Sequence, residues 1–184
     1  MASKFAIRHA AHQVKHGGVI IYPTETVYGL GCDPMNPDAI RYLNELKNRD
    51  NNKGLILIAS NLDQLEKLID VPDIKDKKKI MQIDKPVSWI VPTKNNTPDW
   101  LTGNTRTLAI RISNHPVVKD ICEQLKSPLV STSANPSGKK PALNALKLHD
   151  YFQNKVDAIL ISSDKQLGQP STLKYLHNDK IVRP

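Results

Sequence analysis

The sequence predicts an α/β fold: a twisted, open, mixed sheet flanked by helices. Three observations predict it. Amphipathic stretches with helix caps alternate with short apolar runs of strand length. Near both ends of that series, strands follow one another without the long crossover that parallel neighbours require. The 184 residues contain no internal repeat and no linker, so residues 1–184 are read as one domain with a substantial core.

Each element has its own warrant. Residues 5–16 carry apolar positions at helical spacing and stop at Gly17-Gly18. Val19-Ile20-Ile21-Tyr22 reads as a short buried strand. It runs into Pro23-Thr24-Glu25-Thr26-Val27-Tyr28-Gly29-Leu30-Gly31, where Pro23 weakens strand character and the glycines permit a tight backbone path. Asn36 caps a helix with Pro37 in its first turn and Ile40, Leu43 and Leu46 on one face. A cationic, breaker-rich link over 47–54 leads into Leu55-Ile56-Leu57-Ile58, a wholly apolar strand. Asn61 caps a helix through Ile69, and a basic helix occupies 75–83. Strands at 87–91 and 107–112 flank a polar loop with Trp100 and Gly103. A helix over 115–125, a strand over 129–132, a helix over 143–152 and short strands at 158–161, 171–176 and 180–183 complete the series.

Lys and Arg outnumber acids 26 to 18, a net charge of +8 that favours an anionic partner such as a nucleotide, tRNA or another nucleic acid. Two distant cysteines without a pairing pattern, no signal-peptide core and no membrane-length apolar run point to the cytoplasm. No P-loop and no zinc spacing occur. His9, His12 and His16 share a helix face and read as solvated surface, and Cys32 has no nearby His to make it a nucleophile.

Three pieces carry chemistry. Lys47, Arg49 and Lys53 cluster before a buried strand, where cations neutralise a polyphosphate leaving group; a solvated charged loop is the plainer reading. Thr107, Ala109 and Arg111 alternate along a strand and share a face, and an Arg so planted suits a carboxylate, from a ligand or from the protein itself. Leu129-Val130-Ser131-Thr132-Ser133-Ala134-Asn135-Pro136-Ser137-Gly138 repeats the opening design, an apolar strand ending in hydroxyls and a turn. Two such strand ends make two sides of one polar pocket if the strands are neighbours.

Together, Pro-Thr-Glu-Thr-Val-Tyr-Gly-Leu-Gly, the Lys-x-Arg link, the Thr-x-x-x-Arg strand and Ser-x-Ser-Ala-Asn-x-Ser-Gly resemble the YrdC family, in order, from about residue 8 to the C-terminus. The resemblance implies a YrdC-like twisted open sheet with a concave basic cavity. It also implies that L-threonine, bicarbonate or carbon dioxide, and ATP yield threonylcarbamoyl-adenylate and diphosphate, feeding modification of the tRNA adenosine beside the anticodon. Partner proteins of tRNA modification are then expected, with tRNA or double-stranded RNA as a possible ligand and Mg2+ brought by ATP. By resemblance Lys47, Arg49 and Lys53 face the triphosphate. Thr24, Tyr28, Arg111 and Ser131 surround threonine, and Thr107, Ser133, Asn135, Ser171 and Arg183 line the nucleotide side. The chain departs from the usual family pattern at Gly54, at Ile58 (often His) and at Ile83-Asp84-Lys85, which leaves the role of Ser88 open. A non-catalytic RNA-binding or ribosome-maturation factor is the competing reading, resting on the net charge and the basic run 75–79.

Overall fold

The computed structural model describes residues 2–50, 54–103, 105–162 and 166–184. Lys53, one of the expected phosphate cations, lies outside them. The first helix, α1 (Lys4–Lys15), is capped by the Ser3 hydroxyl and stops where Gly17 takes a left-handed φ of 84°. β1 (Ile20–Tyr22) then pairs antiparallel with β2 (Gly29–Gly31), a strand the residue pattern presents only as a turn. Space rather than turn geometry explains its glycines. The buried Tyr22 ring lies over them: a Cβ on Gly29 would sit 2.9 Å from the ring, and one on Gly31 would sit 2.2 Å from the Val130 carbonyl.

α2 (Pro37–Lys47) has Asn36 as its cap and ends at Asn48, left-handed at φ 50°. β3 (Ile56–Ala59) follows. The helix expected from Asn61 to Ile69 shrinks to one 3-10 turn, Asp63–Leu65. Asn61 does accept the Gln64 N–H at 3.2 Å, but the chain must turn away so that Ile69 bridges Thr93 and Asp70 N–H reaches Pro92 O at 2.9 Å. α3 (Ile74–Ile80) and β4 (Val87–Pro92) come next, and the polar loop contains a short helix, α4 (Asp99–Thr102). β5 (Thr107–Ile112), α5 (Pro116–Leu125), β6 (Leu129–Ser133), α6 (Ala145–Phe152), β7 (Ala158–Ile159), β8 (Thr172–Tyr175) and β9 (Ile181–Arg183) complete the described chain.

The strands form one nine-stranded mixed sheet, ordered β7-β1-β2-β6-β3-β5-β4-β8-β9. Pairs β1/β7, β3/β5 and β4/β8 are parallel and the rest antiparallel. One face, with Leu30, Leu57, Ile110 and Val130, packs into the larger core with α2 and α6. On the other face Ile20, Tyr22, Ile58 and Leu129 are covered by α1 and α5 through Ile7, Val14, Val118 and Ile121. That second cover stops partway along the strands, and the uncovered remainder is the candidate site.

Candidate active site

Side chains two apart on a strand share a face, so the strands that enter the α1–α5 core also leave it on the same side. Beyond Ile58 and Leu129 the face continues as Ile56 of β3 and as Ser131 and Ser133 of β6, which border a cavity of about 340 Å³. Ala109 and Arg111 of β5, Ser88 of β4, Leu173 of β8 and Arg183 of β9 extend its floor. The volume is at the lower end of the range for small-molecule sites. The two hydroxyl-rich strand ends are neighbours: β2 and β6 pair with Gly29 opposite Ser133. The cations Lys47, Arg49, Arg111 and Arg183 line the cavity, and no carboxylate does so among the described residues.

Lys47 sits elsewhere than the link reading puts it. It is the last residue of α2 and is buried, because the helix runs on until Asn48 turns left-handed. Its ammonium donates to the Ser133 carbonyl and, at 2.7 Å, to Asn135 O. Its own carbonyl accepts the Ser137 N–H at 2.7 Å. Lys47 thus staples the end of α2 to the turn after β6. Burial, reinforced by the nearby Arg49 charge, lowers its pKa to about 8. Arg49 donates to Gly54 O at 2.8 Å, and burial and the Arg183 charge both press its guanidinium below the usual range. Two like charges held close favour an anion between them.

The Pro23–Tyr28 loop is folded by its own hydroxyls. Thr24 donates to Val27 O at 2.7 Å and accepts the Thr26 N–H at 3.2 Å. Tyr28 donates to Ser162 O at 3.2 Å. Thr26, absent from the expected site, lines the cavity and accepts from Arg111 Nη1 at 3.1 Å. Arg111 is buried and ion-paired with Glu25, so the plainer reading of this Arg, a protein carboxylate as partner, is realised; its Nε has no partner among the described residues. Burial alone would raise the Glu25 carboxyl, but Arg111 and the Ser113 hydroxyl outweigh it and hold it below the usual carboxylate range.

On the opposite wall the Ser88 and Ser171 hydroxyls lie 2.8 Å apart, and Arg183 donates to Ser171 O at 2.9 Å. Asn135 spends its amide N–H groups on Pro136 O and Lys139 O, leaving Oδ1 without a partner among the described residues. Thr107 is outside the cavity. It shares Arg111's face but stands four residues away, roughly 13 Å along the strand, and its hydroxyl meets Thr105 at 3.0 Å. Ser88 is the residue the pattern left open; period-two alternation with Trp89 in the core was its signal. Burial pushes both Cys32 and Cys122 thiols up to about 12, which keeps them protonated. Within the basic run, Lys79 turns inward to Asp179 at 2.7 Å and over the Trp89 ring.

The model of the Sua5/YciO/YrdC family, described as "Telomere recombination", matches residues 12–184. The chain is 42% identical over 185 residues, covering all of this chain and all of the relative, to the threonylcarbamoyl-AMP synthase of Pseudomonas fluorescens Pf-5. It is equally similar to that of Pseudomonas aeruginosa UCBPP-PA14. Among solved structures it superposes on P. abyssi Sua5 complexed with L-threonine at a TM-score of 0.90 and 27% identity. That match covers 99% of this chain but only 54% of the Sua5 chain, about half its length. E. coli YciO follows at a TM-score of 0.83 and 26% identity, covering 98% and 89% of the two chains. With the cavity built from the ordered blocks and the family match spanning nearly all residues, the chain belongs to the Sua5/YciO/YrdC family.

Proposed function

We propose that the chain is a threonylcarbamoyl-AMP synthase, joining L-threonine, bicarbonate or carbon dioxide, and ATP into threonylcarbamoyl-adenylate and diphosphate. The observation that carries the proposal is convergence. Residues from the opening loop, the end of α2, β5, the β6 turn, β8 and β9 line a single cavity with, among the described residues, four cations and no carboxylate. Full-length relatives that bear this enzyme's name support the reading.

The threonine amine adds to carbon dioxide, losing a proton, and a carbamate oxygen then attacks the α-phosphorus while diphosphate leaves. No enzyme nucleophile is needed, and the protein's task is positioning and charge neutralisation. Lys47 has one ammonium proton left after its two carbonyls and offers it to the triphosphate, beside Arg49, Arg183 and, by family resemblance, Lys53. Arg111 presents Nε–H to the threonine carboxylate, near Thr24, Thr26 and Ser131. Tyr28 shapes that end of the cavity. Ser133, Asn135 and Ser171 serve the nucleotide, Asn135 through its open acceptor.

Magnesium enters on ATP as part of the substrate. Among the described residues no three His, Cys, Asp or Glu gather into a metal site, and the donors lining the cavity are hydroxyls and amides. The product passes to tRNA-modification partners in the cytoplasm; no described helix is long and apolar enough to cross a membrane. Incubation with ATP, bicarbonate and threonine, followed by diphosphate measurement and mass spectrometry of the nucleotide, tests this. Diphosphate release that ignores threonine overturns it.

A further inference from the structure

Glu25 lies behind the site rather than in it. It lines a second cavity of about 350 Å³ with Asp84, Lys85, His115 and Leu167, and Arg111 is the residue both cavities share. An isolated structural ion pair would spend both carboxylate oxygens on the guanidinium. Glu25 divides them. Oε2 takes Arg111 Nη2, while Oε1 accepts the Ser113 hydroxyl at 2.7 Å and the N–H groups of Asn114 and His115 at 3.1 Å each. Those residues lead directly into α5, whose inner face, with Val117, Val118, Ile121 and Cys122, is buried in the α1–α5 core. Thr26, the next residue of the same loop, takes Nη1.

We infer that Glu25 is a positioning residue for the threonine-binding step: through Arg111 it sets which guanidinium N–H groups face the ligand, and it anchors that orientation to the start of α5. Two of Arg111's five N–H groups are committed to the Glu25–Thr26 loop; of the other three, the buried Nε–H has no partner among the described residues, in a side chain that lines the cavity. The loop, β5 and α5 therefore converge on one guanidinium. The inference rests on the synthase reading, in which Arg111 meets the threonine carboxylate.

The test is steady-state kinetics of the full chain by diphosphate release, with threonine and ATP varied separately. Glu25→Gln keeps length and an acceptor but removes the charge. The KM for threonine is expected to rise about tenfold or more, with the KM for ATP within about twofold of the parent. Ser113→Ala loosens Glu25 without touching Arg111, and is expected to shift the same parameter in the same direction by about twofold to fivefold. A folded Glu25→Gln protein whose threonine KM is unchanged, or whose two KM values rise together, overturns the inference. Where Glu25→Gln does not fold, Ser113→Ala decides: an unchanged threonine KM overturns the inference and a selective rise supports it. Failure of the synthase reading is separate, since the unsubstituted chain would then show no threonine-dependent diphosphate.

Discussion

Along β6, Leu129 lies fully buried beneath α5, whereas Ser131 and Ser133, two and four residues on, border the cavity. In β3 the passage is more gradual: Ile58 belongs to the covered core yet already touches the cavity, and Ile56 lines it. The strands and the face are the same; the cover differs. What separates core from site is where the α1–α5 layer ends, and in β6 the change from Leu to Ser marks that line. The covered half is held by packing, and the open half by polar links such as Lys47 to the β6 turn and Glu25 to Arg111.

The sharpest way to break this comparison is to truncate each half. Leu129→Ala is expected to cost about 2–5 kcal/mol of stability. Ser131→Ala, which removes a hydroxyl at the cavity wall, is expected to cost about 1 kcal/mol and to act mainly on threonine use. Denaturant unfolding of both variants checks it; equal losses would erase the boundary. Next in size, Arg111→Ala is expected to weaken threonine binding by about 2–4 kcal/mol, read as the threonine concentration needed for half-maximal diphosphate release. An unchanged requirement would return Arg111 to a purely structural role. Lys47→Met leaves two carbonyls without their donor and is expected to cost about 1–3 kcal/mol of stability, together with a higher ATP KM. A higher ATP KM without any loss of stability would show that the staple is dispensable.

Two smaller effects follow pH. The Lys47 pKa is about 8 in the fold against an ordinary 10.5, so the fold disfavours the charged form and stability rises with pH between those values. A bound triphosphate reverses the preference and takes up a proton above pH about 8, so the ATP KM is expected to climb there. Lys47→Arg should flatten that climb. Glu25 shifts stability in the same direction, but in the acid range. Its carboxyl is held below its ordinary 4.5, so the pair's contribution is complete above that value and is lost as pH falls through the lower, folded one. Acid unfolding of Glu25→Gln should lack this component.

Much of the molecule is legible in the chain itself. The Asn36 cap, the Gly17-Gly18 stop and the alternation of apolar residues mark most helices and strands, because these signals act within one turn or one strand. The hydroxyl-rich strand ends and the Lys-x-Arg and Thr-x-x-x-Arg spacings likewise announce a polar site and the family. Three features are not readable this way. β2 hides as a turn because its glycines answer to a tyrosine ring on another strand, Lys47 looks like a loop cation because its acceptors lie 86 and 88 residues away, and Thr107 alternates correctly yet falls beyond the cavity. In each case the deciding partner is remote in sequence. Short-range patterns set the type and face of an element, but the partners of a buried charge, and the point where a helix layer stops covering a sheet, exist only once the chain is packed.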